Sequence, residues 1–246
     1  MTLPATLVPP VTAGSRADEV VQRLSEAISL GLLNDGERLP AEPDLAAQFG
    51  VAPMTVREAL AALRELGLVE TRRGRSGGSF VKRLSSPPVE PQLQRLTAMT
   101  LSDLRDLADE HRAVAGQAAW LAAQRASAVN VRRLFGLTEQ LGAAATRGDQ
   151  IRADCRFHIE VTVAAHSSRL TRREVSLQAE VSGLLWLPVD PGVDVAAMVA
   201  EHHGIAAAVV SEDAEGARRL AEAHVDGHLS RLTALHLQLT SDGVVS

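Results

Sequence analysis

Apolar residues recur with helical spacing from Arg16 onward. Val20, Val21, Leu24, Ile28 and Leu32 lie about 3.6 residues apart, a stripe that predicts a first helix. Asp18 and Glu19 stand near its positive end and Gly31 where it should stop. A shorter stripe of Leu45, Ala46 and Phe49 is closed by Gly50. Pro53 then suits the first turn of a third helix, whose apolar face runs through Val56, Leu60, Leu63 and Leu66. After Gly67 the texture changes to two short strands, 68–71 and 79–81, around a loop containing Gly74, Gly77 and Gly78. Ser85-Ser86-Pro87-Pro88 breaks the pattern. Everything beyond reads as helix, with segments at 90–98, 102–126, 129–146, 149–166, 168–187, 193–211 and 213–239 and no sustained period-two alternation. The prediction is a mainly α protein: a loose arm at 1–14, a winged helix-turn-helix at 15–84, a linker at 85–92 and an all-α domain at 93–240.

Composition narrows the function. At 246 residues the chain favours two domains, at about 100–200 residues for each. Aromatic residues make up only 2% and tyrosine is absent, which disfavours a β-sandwich and a surface for stacking single-stranded bases. Cys155 has no partner for an internal disulfide, which points to a reducing cytosol. No apolar run is long enough for a membrane span, so a cytoplasmic protein is expected.

The net charge of −5 argues against a nucleic-acid partner until its distribution is considered. Residues 15–83 carry ten basic and ten acidic side chains, so the whole excess of acid lies elsewhere. Within that neutral part, 72–83 holds Arg72, Arg73, Arg75, Lys82 and Arg83 and no carboxylate. A local positive patch matters more for phosphate contact than net charge does.

Two short helices joined through Phe49-Gly50-Val51-Ala52, followed by a basic hairpin, fit a winged helix-turn-helix. In that arrangement the third helix enters the major groove and the wing lies along the backbone or minor groove. Thr55 and Arg57 sit on the first turns of the third helix, and Gly74 at the wing tip is flanked by Arg73 and Arg75. Arg57 can fork onto guanine or clamp a phosphate, and Thr55 can bond phosphate or meet a thymine methyl. The bland alternative is a helical bundle with a solvated basic loop.

These residues resemble a known family. Gly36-Glu-Arg38-Leu39-Pro40-Ala-Glu42, Gly50-Val51, Thr55-Val56-Arg57-Glu58-Ala59-Leu60, Gly67-Leu-Val69 and the Arg-Gly-Arg wing occur in order over about 65 residues. Together they look like the DNA-binding domain of GntR-family bacterial transcription regulators. The helical remainder resembles the FadR-type subgroup, whose C-terminal ligand (FCD) domain is a six- or seven-helix bundle. The resemblance implies DNA-contacting roles for Arg38, Thr55, Arg57, Arg73, Gly74 and Arg75. Two arginines that often read the operator in this family are replaced here by Pro43 and Pro53, and the usual serine cap before the third helix is Ala52. Base readout should therefore be looser, with Arg57, Thr55 and the wing taking a larger share of binding.

Asp154 and His158 are four apart, so a helix puts them on one face. His202 and His224 lie on two later helical segments. One aspartate and three histidines make a reasonable ligand set for zinc, nickel or manganese, although eight histidines in a chain are commonly solvated. The resemblance strengthens the metal reading, because many FadR-type domains carry Asp-x-x-x-His and two further histidines. His203 and His228 are the nearest substitutes. A metal with open positions implies a small carboxylate effector. The arginine and glutamate that family members place on the first long helix correspond here to His111 and Ala115, so His111 and Arg112 are the candidate effector contacts. Arg112 would point about 100° away from His111 on a helix. Cys155, Trp120 and Trp186 read as packing.

The expected function is a homodimeric, ligand-responsive regulator, a repressor, on a palindromic double-stranded DNA operator. A metal sensor and a metal-dependent enzyme using Glu201 as base are the rivals.

Overall fold

Two helices with proline in their first turn set the frame of the N-terminal part. In a computed structural model, which describes residues 16–74, 77–82, 85 and 87–242, the chain divides into two units between Ser85 and Ser86. The expected arm at 1–14, together with Arg75 and Arg83, lies outside the described residues.

The first unit contains α1 (Arg16–Ser29), α2 (Glu42–Phe49) and α3 (Pro53–Glu65). Both α2 and α3 have proline in the first turn, where its missing N–H costs nothing, and neither N-cap residue, Ala41 or Ala52, makes a side-chain cap. α2 stops at Gly50, whose left-handed φ of 68° lets its N–H donate to the Ala46 carbonyl. The predicted stripes meet in one core that includes Val20, Leu24, Leu45, Phe49, Val56, Leu60 and Leu63.

The hairpin follows as β1 (Val69–Arg72) and β2 (Gly78–Val81), paired antiparallel from Val69↔Val81 to Arg72↔Gly78. A Cβ on Gly77 would stand 2.5 Å from the Arg72 carbonyl oxygen, so only glycine closes this turn. A third edge was not visible in the sequence. The Leu39 N–H donates to the Ser79 carbonyl, the Val81 N–H donates to the Glu37 carbonyl, and Arg38 bridges to Phe80. The segment before α2 is thereby tied to the wing.

The second unit comprises α4 (Glu90–Ala98), α5 (Leu101–Arg125), α6 (Ala128–Ala143), α7 (Arg147–Ala164), α8 (Ser168–Leu185), α9 (Val195–Val210) and α10 (Ala214–Asp242). The starts of α5 to α9 are fixed by side-chain caps. Thr100 with Asp103 and Ser127 with Asn130 form reciprocal capping boxes, and Thr146, Ser167 and Asp194 each cap the helix that follows. The sequence reading carried α6 to residue 146. The helix ends at Ala143 because Thr146 is already committed to the start of α7. The alanine stripe of α5 (Ala115, Ala118, Ala119, Ala122) is buried and packs in one core with Ala217 and Ala221 of α10. Small side chains let these two long helices approach closely. Among the described residues, no helix is long and apolar enough to cross a membrane.

Leu60 is 1% exposed at the centre of the first core. Leu60→Ala should destabilise that unit by about 2–5 kcal/mol, read as a shift in the urea midpoint of the full chain.

Candidate functional site

Two regions carry chemistry, one in each unit. In the first, α3 presents an exposed N-terminal turn. Ala52, Pro53 and Met54 face solvent, with Met54 at 58% exposure, and Thr55 is half-buried. Arg57 is exposed on the next turn, where its Nε and Nη2 donate to Glu42 Oε2 of α2 at 3.1 and 3.0 Å. The sequence singled out Arg57 but not its tether, since Glu42 lies fifteen residues earlier. Met54 was also passed over. Arg38 is exposed, and its guanidinium lies close enough to Gly78 that a Cβ there would be 2.9 Å from its Nε. Arg73 and Gly74 are exposed at the wing, Gly74 with a left-handed φ of 113°. Arg72 does not point freely outward: it lies over the Phe80 ring at 4.3 Å and donates to Glu70 at 2.7 Å.

In the second unit, ligand atoms of Asp154, His158, His202 and His224 all lie within 4.8 Å of one another, and all four residues are buried. α7 supplies the first two, α9 the third and α10 the fourth. Asp154 Oδ1 is 3.5 Å from His158 Nε2 and 3.4 Å from His202 Nε2. His224 Nε2 is 3.2 Å from His158 Nε2. The ring of Phe157 stacks on His202 with centroids 3.9 Å apart and fixes its plane. Burial pushes the Asp154 carboxyl up, but His158 and the other nearby imidazoles together outweigh it and hold the group well below the usual carboxylate range. His158 moves upward: burial opposes its charge, while Asp154 and Glu174 favour it more strongly. Burial drives His202 and His224 down, towards the neutral form that ligates metals.

The residues fit a divalent ion. Among the described residues, Asp154 Oδ1 and His202 Nε2 are buried without hydrogen-bond partners, an expense that a shared cation would remove. One carboxylate and three imidazoles suit zinc, nickel or manganese. Of the substitutes, His203 is outside the cluster and packs edge-on against Phe135. His228 is buried beside it, 4.2 Å from His224 between centroids, but is not among the four converging ligands.

Three residues have supporting roles that the sequence did not show. Trp186, read as packing, donates its indole N–H to Asp154 Oδ2 at 2.8 Å and so turns Oδ1 towards the histidines. Glu201 does face away from His202, but it meets His224 Nδ1 at 2.5 Å and leaves Nε2 facing the cluster. Glu174 of α8 is 1% exposed and 3.2 Å from His111 Nε2. His111 is therefore a buried partner rather than a surface histidine. Arg112, the other expected effector contact, faces outward. Its guanidinium is exposed, pairs with Glu222 at 3.5 Å and Asp226 at 3.7 Å, and does not line the cavity beside His158 and His224. Cys155 is buried as expected, and burial raises its thiol. Trp186→Phe keeps an aromatic ring but leaves Asp154 Oδ2 without its donor and a small gap beside it. Unfolding of the metal-free protein should become easier by about 1–3 kcal/mol in urea titration.

Comparison with known proteins gives the family. Residues 16–81 match the gntR family of bacterial regulatory proteins, and residues 106–227 match the FCD domain. The chain is 42% identical over 226 residues to a Mycobacterium gastri protein described as HTH-type transcriptional regulator RmpR, covering 91% of this chain and 82% of that one. It is 30% identical over 222 residues to an Escherichia coli K12 protein described as L-lactate dehydrogenase operon regulatory protein, covering 85% and 83%. The fold is similar to that of E. coli McbR/YncC, with a TM-score of 0.52 at 19% identity over 90% of this chain and 99% of that one. These relatives are transcription regulators, not enzymes. With its winged helix-turn-helix and its helical FCD domain, the chain belongs to the GntR family of DNA-binding transcription regulators.

Proposed function

We propose that this regulator is a cytoplasmic homodimeric repressor whose grip on a palindromic operator is released by a small organic acid. The DNA head is residues 15–84, and residues 93–240 hold the effector and the dimer contact. The observation that carries the effector reading is the buried convergence of Asp154, His158, His202 and His224 with partnerless ligand atoms. When bound, a divalent ion supplies a Lewis-acidic point for a carboxylate oxygen. The chain's own residues do the rest. Trp186 orients Asp154, Glu201 orients His224, and Phe157 holds His202 in plane. A small cavity lies beside His158 and His224, lined otherwise mainly by Ala115, Ala118, Phe157 and Ile205, and it marks the side of the cluster from which an effector would reach the metal. The description of the E. coli relative, which names a lactate dehydrogenase operon, fits an organic-acid signal. To switch the protein, the acid must bind its DNA-competent and DNA-released states with different affinity.

On the DNA side, two tethered heads supply the avidity that one module lacks. Arg57 and Thr55 contact the groove or its phosphates, with Arg38, Arg73, Gly74 and Arg75 along the backbone. The apolar tip made by Pro53 and Met54 offers packing for thymine methyl groups in place of forked donors.

Two outcomes test this reading. Arg57→Ala should weaken operator binding and reduce the slope of log affinity against log salt by about 1 in mobility-shift titrations. Unchanged affinity would remove Arg57 from the interface. Zinc at about one hundred times its Kd should add roughly 2.7 kcal/mol of stability to the wild-type chain. His158→Ala should abolish that gain in thermal melting, and a chelator should abolish both it and any further stabilisation by small carboxylates.

A further inference from the structure

Glu174 is a buried carboxylate that the metal reading leaves unused. Its Oε1 accepts from the Gln178 amide at 2.8 Å and faces His111 Nε2 at 3.2 Å. Its Oε2 is buried and has no hydrogen-bond partner. Glu174 lines the same space as His158 and His224, whereas His111 lines a separate cavity with Leu104, Val181 and His228. One Glu174 oxygen lies within 4.8 Å of a His158 ring nitrogen. Among the described residues, no arginine or lysine lines the Glu174 space, and its remaining walls are alanines, Phe157, Val161, Thr162 and Ile205. Thr162 spends its hydroxyl on the Ile159 carbonyl at 2.7 Å.

We propose that Glu174 is the second anchor of the effector pocket, and that it selects a small monocarboxylic acid bearing an O–H or N–H donor close to its carboxylate. This rests on the reading of the Asp154 cluster as a metal site that takes the acid's carboxylate. A metal lies about 2 Å from an imidazole nitrogen, so an acid held beside His158 sits within a few ångströms of Glu174. A hydroxyl or ammonium on carbon 2 or 3 spans that gap and fills the open acceptor. A plain carboxylic acid leaves Oε2 unpaired, and a buried polar site that loses its partner discriminates strongly. A second carboxylate would meet Glu174 charge against charge, so diacids are rejected. The family's arginine on the first long helix is His111 here, and its ring serves to pair Glu174 rather than to clamp an acid.

The test uses the full chain loaded with zinc and isothermal titration of four acids: butyrate, 2-hydroxybutyrate, 2-aminobutyrate and succinate. At least one of the two donor-bearing acids should bind tenfold or more tightly than butyrate, and succinate should bind more weakly than either. The better of the two identifies the donor as alcohol or ammonium. Glu174→Gln, checked for retained zinc, should shrink that preference at least tenfold for an ammonium and severalfold for an alcohol. Equal binding of butyrate and both donor acids to the wild type overturns the proposal, as does tight binding of succinate. A second zinc per chain that is lost in Glu174→Gln also overturns it, because the free oxygen would then serve a metal. If zinc binds and no acid does, the organic-acid reading falls and this proposal with it. If zinc itself fails to bind, the metal reading falls first.

Discussion

A charged carboxylate inside a helical bundle is tolerable only if the groups around it supply what water no longer can. Asp154 sets that constraint for the second unit. It is 1% exposed, takes one indole hydrogen bond and is ringed by imidazoles. Each neighbouring helix contributes to its support. α8 leads into Trp186, α9 provides His202 and α10 provides His224, so the depth and rotation of those helices are tied to one oxygen pair. The alanine seam between α5 and α10 complements this, since close packing there keeps the interior narrow enough for side chains from separate helices to meet.

The fold was largely legible because its signals are local. Pro53 and Gly50 bracket the turn between α2 and α3, and Gly77 and Gly78 close the wing, so single residues announced where elements begin and end. The long helices of the second unit were equally plain from periodicity. What escaped was the pairing of residues 36–39 with β2, which makes an extended edge out of a stretch without alternating apolar residues. The early end of α6 escaped for a similar reason, because Thr146 had to be recognised as the cap of its successor.

The site was half legible. Asp154 and His158 advertise themselves by their spacing of four, and the two later histidines followed from the family pattern. Glu201, Trp186 and Glu174 carry no such signal. Trp186 is separated from its partner by 32 residues and Glu201 by 23, so their roles come from how helices are stacked rather than from any stretch of chain. An indole in an apolar run looks the same whether it fills space or steers a carboxylate. His111 was misleading in the opposite way: its place on the helix was right, but its partner on α8 decides what it does.

The tether between Glu42 and Arg57 has a consequence for how the head meets DNA. The guanidinium already has an anion beside it before any duplex arrives, so the DNA contact proposed for Arg57 is an exchange of the Glu42 carboxylate for a phosphate or a base edge, not the capture of a free cation.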